Sequence, residues 1–130
     1  MQVRSSHAPP ARSGLKSLFA LRMVQAAFWV CAAAVLYLAL TPAPLVKISN
    51  WDKVNHAFAF AVLGILGWTA WPARARSVGA CLFAYGCAIE VLQSFTPTRT
   101  ADWHDVLADV AGLLVGAGVV AALAARRRTV

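Results

Sequence analysis

The chain reads as an all-α membrane protein of four transmembrane helices joined by short loops, with both termini cytoplasmic. Three observations carry that reading. Of its 130 residues, 60% are hydrophobic and only 13% are charged, where soluble domains run near half and a quarter. Apolar runs long enough to cross a bilayer recur along it. The lysines and arginines divide unevenly between the segments that join those runs.

Residues 1–22 are polar and basic and contain Pro9-Pro10, the signature of a disordered cytoplasmic tail. No charge falls between Met23 and Leu40. That run predicts the first helix at about 23–40, ended by Pro42 and Pro44. At about 18 residues it exceeds the usual apolar core of a signal peptide, and Thr41-Pro42-Ala43 is a poor cleavage site, so the helix is expected to be retained. The loop from Thr41 to Asn50 carries Lys47. A second helix is predicted at about 54–71, with Trp51, Trp68 and Trp71 marking its ends as interfacial aromatics do. Pro72 to Ser77 is a tight polar link holding Arg74 and Arg76. The third helix is expected at about 78–95. The fourth is expected at about 105–125, stopped by a basic tail over 126–130. Residues 23–125 thus form one membrane domain, with no room for a separate soluble catalytic domain. Strand alternation is missing, which excludes a β-barrel.

Four crossings place Arg4, Arg12, Lys16, Arg22, Arg74, Arg76, Arg126, Arg127 and Arg128 on one side. Only Lys47, Lys53 and Arg99 fall on the other, so the termini are assigned to the cytoplasm. The net charge of +7 belongs largely to the tails and suits anionic lipid. No zinc-finger, RRM or KH signature accompanies it, which excludes a nucleic-acid partner. Cys31, Cys81 and Cys87 lie in apolar segments without metal-ligand spacing and read as small buried hydrophobes.

All five acids, Asp52, Glu90, Asp102, Asp105 and Asp109, map to the outer half of this topology, together with His56 and His104. Asp52 and His56 lie one turn apart on one helix face. Glu90 and Gln93 are three residues apart near the end of the third helix. Asp105, Asp109, Gly112 and Gly116 follow 4-3-4 spacing and share a stripe of the fourth. Gly112 and Gly116 make a GxxxG element, read first as packing. The short loop Thr96-Pro97-Thr98-Arg99 holds Arg99 near the same end, where its planar fork suits carboxylate or phosphate. Asp102 is placed to cap the fourth helix, and with His104 it reads as solvent-exposed. An acid within a span costs roughly a few kcal/mol when unpaired. Polar contacts between membrane helices return about 0.6 kcal/mol on average. Glu90 and Asp109 therefore point to function more than packing, and Asp109 requires Arg99, Lys53 or His56 as a partner.

These residues resemble the VanZ-like family of small bacterial membrane proteins. One block is Asp52-Lys53-x-x-His56, followed by Phe58, Phe60, Leu63 and Gly64. A longer block is Glu90-x-x-Gln93-x-Phe95-x-Pro97-x-Arg99. A third contains Asp105 and Gly112. The likeness covers about residues 36–118. The family pattern has Asn where this chain has Asp109, which keeps an acceptor, loses an amide donor and adds an acid. The resemblance implies a role at the cell envelope, since the family is associated with resistance to the glycopeptide teicoplanin.

The leading expectation is an accessory protein of the bacterial cytoplasmic membrane. Its outward-facing pocket of Asp52, Lys53, His56, Glu90, Gln93, Arg99, Asp105 and Asp109 would hold a lipid headgroup or a glycopeptide-related ligand, without cofactor or metal. An alternative is a membrane-embedded hydrolase or transferase acting on an envelope lipid, with His56, Glu90 and Asp105 as a mixed His/carboxylate metal site. Ser94 is the nearest nucleophile to it. A third reading is a structural bundle that partners another membrane protein. GxxxG leaves a homodimer open.

Overall fold

A computed structural model describes the backbone of residues 12–41, 51–97 and 101–129, and the side chains from 14, 53 and 101 onward in those stretches. Its regular elements are helical: α1 (Arg12–Leu40), α2 (Trp51–Ala70), a short 3₁₀ turn (Pro72–Arg74), α3 (Ala75–Ser94) and α4 (Trp103–Arg128). Every helix runs past its expected start. The largest correction is α1, which begins at Arg12, so residues 12–22 are helix where a disordered tail was expected. Hydropathy marks where apolar surroundings begin, whereas Arg, Lys, Leu and Ala are all good helix formers and continue the helix into polar surroundings. The same reasoning corrects the other end: Arg126, Arg127 and Arg128 form the last turn of α4, where their charge complements the helix dipole. Residues 1–11 and the loop bearing Lys47 lie outside the described residues.

α2 is the hub. It packs against α1, α3 and α4, while α1 and α4 do not meet. α2 and α4 run parallel, and glycine explains their closeness. A Cβ on Gly112 would collide with the Ala57 carbonyl, and one on Gly116 would come within 2.8 Å of the Ala61 carbonyl oxygen. The GxxxG element is thus used inside the chain, against α2.

The apolar core is small: Phe28, Phe60, Leu63, Leu82, Ile89 and Leu113. Large apolar side chains instead cover the outside, among them Trp29, Tyr37, Phe58, Phe83, Phe95 and Leu114. Such a surface in water would be a continuous liability and in lipid is the ordinary one. Among the described residues, three helices are long and apolar enough to cross a membrane, within Gly14–Leu40, Pro72–Ser94 and Trp103–Arg128. α2 falls outside that set; its first two turns carry Asp52, Lys53, Asn55 and His56.

The bundle has two unlike ends. At one, Phe28, Trp29 and Trp71 meet edge to face, with Phe28 5.2 Å from each tryptophan ring. There Trp68 donates its indole N–H to the Ala75 carbonyl at 3.0 Å, fastening the α2–α3 link. The cysteines depart from expectation: Cys81 is exposed, and Cys31 and Cys87 are half-buried. The other end holds the polar residues.

Candidate functional site

The start of α2, the end of α3 and the start of α4 converge at the polar end. Asp102 organises the junction. Its extended backbone precedes α4, and its Oδ1 accepts the His104 backbone N–H at 3.0 Å, capping the helix. His104 Nδ1 reaches the same oxygen at 2.6 Å, and its ring stacks on Trp103 at 3.8 Å between centroids. Asp102 Oδ2 takes the Lys53 ammonium at 2.8 Å. Its own backbone N–H donates to Glu90 Oε2 at 2.9 Å. One residue therefore ties α4 to both α2 and α3. The Lys53 ammonium, then the His104 N–H, hold the Asp102 carboxyl well below the usual carboxylate range.

Deeper in, Lys53 also reaches buried Asp105 Oδ1 at 3.2 Å. One turn further, His56 Nδ1 lies 2.9 Å from Asp109 Oδ1. Asp109 is 2% exposed and Glu90 6%. Each leaves one carboxylate oxygen, Asp109 Oδ2 and Glu90 Oε1, buried and without a hydrogen-bond partner among the described residues. Gly86 on α3 makes room for the Asp109 oxygen, which a Cβ there would approach to 2.5 Å. Four carboxylates, Glu90, Asp102, Asp105 and Asp109, face Lys53 and His56, so the described site carries an excess of negative charge. His56, Glu90 and Asp105 each offer one metal-ligating atom, all within 4.8 Å of one another.

Lys53, His56, Glu90, Asp105 and Asp109 come together, and Gly112 and Gly116 lie beneath them in the α2–α4 seam. Gln93 turns elsewhere: its amide donates to the Ala39 carbonyl at the end of α1, at 3.0 Å. Arg99 and the side chain of Asp52 lie outside the described residues. Ser94 donates its hydroxyl to the Val91 carbonyl of its own helix at 2.6 Å. Two contributions were missed. Asp102 caps α4 as expected, but its further role as the hub that ties Lys53 and Glu90 to that cap was not read from the sequence. Tyr85 donates to the Ala32 carbonyl at 2.6 Å, joining α3 to α1, and nothing in its apolar segment announced that role.

Beside the cluster, a cleft of about 570 Å³ opens between α1 and α2. Its walls include Val35, Leu38, Phe58, Phe60 and Val62; His56 and Gln93 supply polar groups.

A family model described as VanZ/LLP1 matches residues 9–124, from before α1 into the last turns of α4. The chain belongs to the VanZ/LLP1 family. No curated protein and no solved structure matches it. Family and apolar helices together make this VanZ/LLP1 chain a membrane protein. The match spans every helix that contributes to the polar end and to the cleft.

Proposed function

We propose that this chain is a multi-pass protein of the bacterial cytoplasmic membrane that acts as an accessory protein of the cell envelope, holding the headgroup of an envelope lipid at its polar end. The observation that carries the reading is the cleft between α1 and α2. It joins apolar walls to His56 and Gln93, and so offers chain and headgroup their own surroundings in one space. Its volume falls in the range of small-molecule sites, about 300–1,000 Å³. That favours a headgroup with the first stretch of its chain over a whole glycopeptide.

α2 is the fourth span in this reading. Its 20 residues match a hydrocarbon core about 30 Å thick. It is surrounded by three helices of membrane length and parallels one of them. Both termini then face the cytoplasm, and the polar end faces the envelope.

The test is native mass spectrometry of the detergent-released protein beside Ala34→Phe, which fills the cleft without touching a polar residue. Wild type should carry a phospholipid or polyprenyl lipid that the variant lacks. The same lipid at equal occupancy in both would overturn the assignment.

The His56–Asp109 pair favours a second reading, a hydrolase that activates water. Turnover of envelope lipids that is lost in His56→Gln would support it; no turnover by folded wild type would refute it.

A further inference from the structure

We propose that His56, Glu90 and Asp105 form a binding site for a first-row divalent cation, with zinc as the type, and that Asp109 positions its histidine ligand. The inference deepens the lipid-headgroup reading and rests on it in one respect, that the cation would face a ligand entering from the cleft.

Four observations converge. The three side chains come from three helices, yet each brings a ligating atom within 4.8 Å of the others. Ligand atoms bonded at about 2.1 Å to a tetrahedral ion lie about 3.4 Å apart, so the three side chains close on one ion with a small inward shift. Second, Glu90 is 6% exposed. One of its oxygens holds the Asp102 N–H and the other, Oε1, is buried with no partner among the described residues. A buried carboxylate oxygen with nothing to accept from is costly, and a cation satisfies it directly.

Third, the histidine is arranged as a ligand. An ionised Asp109 calls for a proton on Nδ1, 2.9 Å away, and that tautomer leaves the Nε2 lone pair for a metal. A carboxylate behind a metal-binding imidazole is the usual outer support of such sites. Fourth, the charge balance calls for a cation. Lys53 is already shared between Asp102 and Asp105, so Glu90 has no side-chain counter-ion among the described residues. The mixed imidazole and carboxylate donors select zinc or manganese over calcium, which takes oxygen ligands. A divalent ion here would also let an otherwise acidic site accept a phosphate headgroup.

The experiment uses the full chain in detergent, stripped with EDTA and titrated with Zn²⁺, and with Co²⁺ as a spectroscopic probe. Wild type should bind one equivalent and give the d–d absorption of cobalt held by nitrogen and oxygen. Glu90→Gln keeps an acceptor for the Asp102 N–H, and Asp105→Asn keeps the shape. Both should lose at least about 10-fold in affinity with their folds intact by thermal melting. Asp109→Asn should still reach one equivalent, with affinity about 10–100-fold weaker. Folded wild type that binds neither metal, or Glu90→Gln that binds as wild type does, overturns the site. Lipid occupancy of the same samples separates the two readings. Lipid carried by wild type that binds no metal overturns the cation site and leaves the lipid reading standing. Metal bound without lipid supports the cation site and removes the lipid reading.

Discussion

His56 on α2 and Asp109 on α4 meet at 2.9 Å, Nδ1 to Oδ1, about one turn before Gly112 brings the two backbones into contact. The pair is nearly sealed, with side chains 10% and 2% exposed. Its two members should therefore be unequal under mutation. His56→Leu strands a buried acid and should cost about 3–5 kcal/mol. Asp109→Asn keeps an acceptor for the ring N–H and should cost no more than about 1.7 kcal/mol, the upper range for polar contacts between membrane helices. Reversible unfolding in mixed detergent measures both. Equal costs would show that the pair is not the buried unit described.

Gly112 and Gly118 stand on the same helix and should respond oppositely to one methyl group. At Gly112 the new Cβ meets the Ala57 carbonyl, and at Gly118 it meets nothing. Gly112→Ala should cost about 1–3 kcal/mol as α2 and α4 are forced apart. Gly118→Ala should be neutral or stabilising by up to about 1 kcal/mol, through helix propensity alone. A thermal melt of the two variants decides it, and a harmless Gly112→Ala would contradict the close seam.

The Asp102 junction carries a pH signature. Its carboxyl lies well below the ordinary range in the folded chain, chiefly through the Lys53 ammonium. A depressed value means that its contribution is complete above the unfolded value of about 3.9 and is lost as pH falls through the folded one. The difference in melting temperature between wild type and Asp102→Asn should be flat above about pH 5 and shrink below about pH 4. A difference that instead grows on acidification would reverse the sign argued here.

Topology can be read from two engineered cysteines in a chain whose Cys31, Cys81 and Cys87 are replaced by Ala. Arg74→Cys, in the α2–α3 link, should react with a membrane-impermeant maleimide only after cells are opened. Trp103→Cys, at the start of α4, should react in intact cells. Labelling of both from one side would remove α3 as a span.

The membrane class and four helices were legible because apolar composition and length dominate everything else in this sequence. Helix ends were not, since Arg12, Lys16 and Arg22 extend α1 beyond the apolar run without a change in local geometry. The stripe of Asp105, Asp109, Gly112 and Gly116 followed from helical period alone, and all four are buried in α4. Gln93 shows the limit of that reasoning. Three residues from Glu90, it lies about 60° around the helix, enough to face α1 in place of the cluster. The hub role of Asp102 was illegible for another reason. Its cap is local, but the partner that makes it a hub, Lys53, lies 49 residues away.

The parallel course of α2 and α4 has an electrostatic corollary. Each helix carries about half a positive charge at its first turn and half a negative charge at its last. Parallel pairing sets two first turns side by side, those that begin at Trp51 and Trp103, with the last turns of α3 and α1 beyond them. Asp102 and Asp105 stand directly in that field, and Asp109 lies one turn below. The peptide groups of two helices thus offset part of the acid excess before any side chain or ion is counted. An up-and-down neighbour in place of α4 would bring the opposite pole to the same spot, and these carboxylates would be repelled.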